Sequence, residues 1–173
     1  MSNNQNNDFL PKDYETPESG GNYMKFKDGE NNFRILSKAL LGWVYWNNDN
    51  KPVRLAEGAK EKPTVDPNLI RPDQGGKRPV KHFWAMTVYN YEAKQIQVLE
   101  ITQAGIQSAI EALFRNPKWG NPFKYDITVT KKGQKLDTEY AVMPVPHAPV
   151  SEEVKKAFLE TPVNLHALMT GGD

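Results

Sequence analysis

Residues 81–102 read KHFWAMTVYNYEAKQIQVLEIT. Two runs rich in β-branched and aromatic residues, 81–91 and 96–102, flank a short polar connection. Such residues fit a pleated surface, and the spacing predicts a β-hairpin. Side chains on a strand alternate between its faces. Trp84, Met86 and Val88 therefore point one way, and Lys81, Phe83, Ala85, Thr87, Tyr89 and Tyr91 the other. The first set suits a core. The second mixes three aromatics with a cation, a hydroxyl and a small residue, which is unusual for a wet sheet face. Rings presented flat to nucleobases account for that mixture.

The totals bound what the rest can be. The chain has 173 residues, formal net charge +1 and no cysteine. That length predicts one domain with a proper core. The near-balanced charge excludes a uniformly basic packing protein and leaves room for a local basic groove. Without cysteine there is neither a disulfide nor a thiolate metal site. No apolar run reaches membrane-spanning length. MSNNQNNDF lacks the layout of a signal peptide, so a soluble intracellular protein is expected.

Taken in order, residues 1–8 are Asn-rich and expected to be disordered, and 9–21 form an irregular arm. Residues 32–47 read as one strand bent near Gly42, or as two short strands. Residues 51–79 form a long loop with Pro52, Pro63, Pro67 and Pro72 and no sustained period; loops of this length are functional or disordered. From Lys51 through Lys81 there are eight Lys or Arg against four Asp or Glu. After the hairpin, Ile106, Ile110, Leu113 and Phe114 share one helical face, with Thr102 as the expected N-cap. Strands follow over 124–131, with Tyr125, Ile127 and Val129 inward, and over 137–145. From Ser151 an amphipathic helix carries Val154, Phe158 and Leu159, and a last turn includes Leu165 and Leu168. The expected fold is mainly β: an OB-fold, a five-stranded Greek-key barrel with a helix between strands three and four. It spans residues 9–150, with the 51–79 insertion and an extra C-terminal helix in a 151–173 extension.

Five runs occurring in order carry a resemblance: LPKDYETPESGGNYMKFKDGENNFRIL, GWVYWN, KHFWAMTVYNY, LEITQAGIQSAIEAL and KGQKLDTEYAVMPVPH. Together they resemble the single-stranded DNA-binding proteins of certain tailed phages, over roughly residues 9–150. The resemblance implies an OB-fold that coats single-stranded DNA in replication, recombination or repair, with little sequence preference and no catalysis. It implies single-stranded DNA, replication proteins and further copies along the strand as partners, and the cytoplasm of an infected bacterial host as the place of action. Many such proteins end in an acidic tail that recruits partners. This chain ends HALMTGGD, with Asp173 its one acid there; the tail is either absent or trimmed, and tail-mediated recruitment is not part of the expected function.

Binding without sequence preference needs cations along the phosphates and ring faces for the bases. Phe83, Tyr89 and Tyr91 are the expected stacking residues by parity, joined by Tyr45 and Trp46 from the cluster after Gly42. Trp84 belongs to the core. Lys77, Arg78 and Lys81 are the expected phosphate contacts, and Arg34 lies on the parity that reaches the same face. Arg54 and Arg71 are weaker candidates, and Lys131, Lys132 and Lys135 read as a soluble turn. The rival reading packs the rings under the long loop or at a dimer contact, making the chain a protein-interaction barrel, a phage structural or adaptor component. A nuclease reading rests on Asp126, Asp137 and Glu139 gathering around magnesium. Against it, His82, His147 and His166 lack metal-ligand spacing and no phosphate-cradling glycine loop occurs. No metal or cofactor is expected.

Overall fold

The computed structural model describes Phe9, residues 22–134 and residues 137–170. The expected disordered tail and most of the arm lie outside the described residues. Seven strands form one antiparallel sheet among them: β1 (Gly29–Ile35), β2 (Leu40–Trp46), β3 (Pro52–Leu55), β4 (Lys81–Asn90), β5 (Gln95–Ile101), β6 (Asp126–Lys132) and β7 (Glu139–Pro144). Helix α1 (Ala104–Arg115) joins β5 to β6, and α2 (Glu152–Glu160) follows β7. A 3-10 turn, Leu165–Thr170, comes after α2. No described helix is long and apolar enough to cross a membrane.

The hairpin forms as the alternation predicts. One edge of β4 pairs with β5 from Trp84↔Ile101 to Asn90↔Gln95. Its other edge is shared: Lys81 to Ala85 pair with β2, and Val88 to Asn90 pair with β1. β1 also pairs with β6, and β6 with β7. The path β3-β2-β4-β1-β6-β7, with β5 on β4, is open and consistent with a barrel-like fold. Seven strands stand where five were expected, for two reasons. The first strand is split, and β3 forms inside the long loop. Pro52 opens β3, a position where its missing N–H costs little.

The split lies at Leu36–Ala39 rather than at Gly42. There the chain steps off β4, and the Ser37 hydroxyl accepts the Thr87 N–H at 2.8 Å, taking over a ladder bond that backbone no longer supplies. Gly42 sits inside β2 instead, opposite Phe83. A Cβ there would lie 2.7 Å from Phe83 Cε1 and 3.3 Å from the Leu55 carbonyl. The glycine is needed because a ring occupies the space, not because the strand bends.

The inner face carries the main core. Phe33, Ile35, Met86, Val88, Leu99, Ile101, Ile127 and Val129 pack there beneath Ile106 and Ile110 of α1. The helix starts one residue later than expected: Gln103 occupies the N-cap without a side-chain cap bond, so Thr102 has no capping role. The outer face is covered by the C-terminal segment. Val154 of α2, with Val150 and Ala157, packs on Tyr89 and Ile96. Leu168, with Leu165 and Met169, packs on Phe83, Ala85, Leu40, Val44 and Val98. Phe158 and Leu159 do not join this cover; Leu159 is 80% exposed. Ser151 caps α2 by accepting the Val154 N–H, and Glu152 and Glu153 fill its first turn, where the helix dipole favours carboxylates.

Gly42→Ala should destabilise the fold by about 1–3 kcal/mol, since the methyl overpacks a fully buried ring that has nowhere to move. Urea unfolding of the variant against the wild type measures this; equal midpoints would show that the ring yields freely.

Candidate nucleic-acid interface

The face that parity assigned to binding is present, but much of it is roofed. Phe83 and Tyr89 lie on the outer face and are buried, at 0% and 2% exposure. The Tyr89 hydroxyl donates to Glu153 of α2 at 3.0 Å, and its ring meets Tyr91 edge-on. Tyr91 is half-buried and donates to Asp126 at 2.8 Å. Arg34 shares this face, opposite Tyr89, but is itself buried. Its guanidinium donates to Asp126 at 2.9 Å, to the Phe123 carbonyl at 3.2 Å and to the Ala148 carbonyl. Here Arg34 ties β1 to the segments before β6 and before α2. Tyr45 is buried as well. The expectation of bare rings on a wet face is therefore corrected for Phe83, Tyr89 and Tyr45, and that of a phosphate-facing cation for Arg34. Alternation reports which side a ring leaves the strand on. It does not report what later chain lies over that side.

Beyond the roof the outer face opens. Val44, Trp46 and Lys81 line a cleft of about 190 Å³ together with Arg71, Asp73 and Pro79. Trp46 is 45% exposed and Lys81 is exposed. Both are expected site residues, and the β2–β4 pairing sets Val44 opposite Lys81. Arg71 arrives from the long loop because that loop is pinned. Its N–H donates to the Trp46 carbonyl at 2.7 Å, and Ile70 beside it is buried. Arg78 donates through Nη1 to the Pro67 and Ile70 carbonyls, at 3.0 and 2.9 Å, and so braces the same loop. Lys77 is exposed; its backbone N–H donates to the Asp73 carboxylate at 2.8 Å, which closes a turn.

The remaining cations and rings divide similarly. Arg54 makes a two-point contact with Glu100, at 2.7 and 3.0 Å. Burial opposes the charge of Arg54, but the hydrogen bond and charge of Glu100 outweigh it and hold the group above its ordinary value. Trp43 leaves the inner side, packs against His82 at 4.9 Å between ring centroids, and donates its indole N–H to the Ala59 carbonyl. Trp84 packs half-buried against the main core. Asp126, proposed as a nuclease carboxylate, is engaged by Arg34 and Tyr91. No group of three or more His, Asp or Glu among the described residues is placed to hold a metal ion. Sequence reading ranked Arg71 low, because nothing in the local text reveals the Arg71–Trp46 backbone bond that sets it beside the cleft.

No family model matches the chain, and no solved structure matches it. A curated relative does. The chain is similar to a protein of Escherichia phage T5 named probable ssDNA-binding protein, 26% identical over 142 residues. The match takes in 71% of this chain and 54% of that protein, so the chain spans about half the length of the relative.

Two measurements check the reassigned residues. Burial, and then the hydrogen bond and charge of Asp126, push the Tyr91 hydroxyl up to about 12 from an ordinary 10.0. Between those values the unfolded chain releases a proton that the folded chain keeps. The contribution is whole below pH 10 and is lost as pH rises toward 12. Thermal midpoints across that window should fall more steeply for wild type than for Tyr91→Phe; parallel curves would show that the proton is not held. Arg34→Ala should cost on the order of 3 kcal/mol of stability, measured by urea unfolding, because it orphans two backbone carbonyls and leaves Asp126 without its ion partner.

Proposed function

We propose that this chain binds single-stranded DNA without sequence preference and coats and protects exposed strands in phage DNA replication, recombination or repair, without catalysis. One observation carries the reading: an exposed indole, Trp46, shares an open cleft with the cations Arg71 and Lys81. A ring face accepts any base, and cations beside it follow the phosphates. In this reading Trp46 stacks, Lys81 and Arg71 meet phosphate, and Lys77 and the free side of Arg78 extend the positive rim. The likeness to the phage T5 protein supports it.

The proposal includes an OB-type barrel. If β1 and β2 are counted as one bent strand, that strand pairs with β4 and with β6. β4 then pairs with β5, α1 follows, and β6 pairs with β7. That order supports a five-stranded barrel with its helix between strands three and four. The competing reading is a protein-interaction barrel. Leu159 and Phe158, apolar and outward on α2, favour it.

Titration of labelled oligo-dT, with duplex of equal length as competitor, separates the two. The DNA reading expects tight, salt-sensitive binding to oligo-dT; no binding at low salt would end it. Trp46→Ala should weaken binding by about 1–3 kcal/mol if one base stacks there. Lys81→Ala should lower the slope of log affinity against log salt by about 0.7, the share of one phosphate contact on a single strand.

A further inference from the structure

A second and larger concavity lies on the inner side of the sheet. Where β1 and β2 part at Leu36–Ala39, α1 does not close over β4. The gap is an open groove of about 690 Å³, lined by His82, Trp84 and Met86 of β4, by one side of α1, by Ser37, Lys38, Ala39 and Leu41, and by Asn121 to Phe123. Phe114, Leu41 and Phe123 are 51%, 39% and 37% exposed, and all three line it. Single exposed apolar residues are ordinary. Three around one concavity, with the half-buried ring of Trp84 among them, form a patch that water alone does not explain.

The polar groups in the groove identify its occupant. Gln107, Ser108 and Asn121 interrupt the apolar lining. Gln107 spends its amide N–H groups on the His82 and Ile101 carbonyls, and Asn121 its side-chain oxygen on the Phe123 N–H, which leaves Gln107 Oε1, the Ser108 hydroxyl and the Asn121 amide NH2 for an occupant. His82 donates through Nδ1 to the Gly42 carbonyl at 2.8 Å, since a carbonyl can only accept. Two cations belong to the groove. The Lys38 ammonium has no partner among the described residues. Arg115 lies 5.9 Å from the Phe114 ring centroid and pairs with Glu111 at 3.2 Å in an exposed contact that holds it weakly. An apolar helix needs no such donors and acceptors, and an acidic peptide needs no rings. Unstacked bases, flat on both faces with hydrogen-bonding edges and joined by phosphates, use all three.

We infer that this groove is a second base-binding surface for single-stranded DNA, with Trp84, Phe114 and Phe123 as ring contacts and Lys38 and Arg115 as phosphate contacts. The inference rests on the function proposed above and extends its site. Groove and cleft meet at neighbouring residues: Lys81 and Thr102 line the cleft, while His82 and Ala104 line the groove. A strand leaving Trp46 reaches the groove by crossing this rim, so the groove matters only for strands long enough to cross.

Anisotropy titrations of the full chain test this, using oligo-dT of about four and about sixteen nucleotides, the span of site sizes for such barrels. Phe114→Ala with Phe123→Ala should weaken binding of the long oligonucleotide about fivefold or more per ring, as lost stacking predicts. Binding of the short one, which Trp46 and Lys81 hold, should stay within about twofold. If the pair lowers the thermal midpoint, Lys38→Glu with Arg115→Glu serves instead, with the same length dependence expected. Long-strand affinity unchanged in both variants, while wild type binds, would overturn the groove and leave the proposed function standing. Equal weakening at both lengths would also overturn it as a second surface. Wild type that binds neither oligonucleotide would overturn the function itself.

Discussion

The structure depends on one constraint: a single edge of β4 has to satisfy two partners. Ten residues of one strand hydrogen-bond to β2 over the first half and to β1 over the second. The chain between those partners cannot remain on the ladder, so Ser37 completes it with a hydroxyl. From that step follow the separation of β2 from β1, the β2–β3 hairpin that carries Trp46, and the gap beside α1. The cleft and the groove are consequences of one backbone accounting problem, because every buried N–H must find an acceptor.

Much of this was legible in the residues. The strand–strand–helix–strand–strand succession from Lys81 to Pro144 follows from period-two and helical spacing, and the inward set Phe33, Ile127 and Val129 was readable from alternation. Parity also placed Arg34, Phe83, Tyr89 and Tyr91 on one face. Their exposure was not legible, because it depends on residues 148–170 folding back over that face, more than fifty positions away in sequence. Val154 and Leu168 announced an amphipathic tail, yet a tail's apolar stripe does not name its partner surface. Gly42 was misread for a related reason. A glycine in a strand signals either a bend or a close approach, and only the ring of Phe83 decides between them.

The burial of Arg34 and the openness of Lys81 show why charge counts along a segment say little about electrostatics. The long loop has a clear excess of cations. Within it Arg54 is cancelled by Glu100 and Arg78 is partly spent on two carbonyls, while Arg71 borders the cleft with one guanidinium nitrogen donating to the Asn50 side-chain oxygen. What a cation can do is set by the acceptors within reach, and those come from distant parts of the chain.

The short segment before β1 has a consequence of its own. Val98 donates its N–H to the Asn22 carbonyl and accepts from Met24, so the outward rim of β5 is already occupied in its middle. A neighbouring molecule cannot lengthen the sheet by zipping onto that rim. Growth of a shared fibre through that rim is blocked at the level of main-chain bonding.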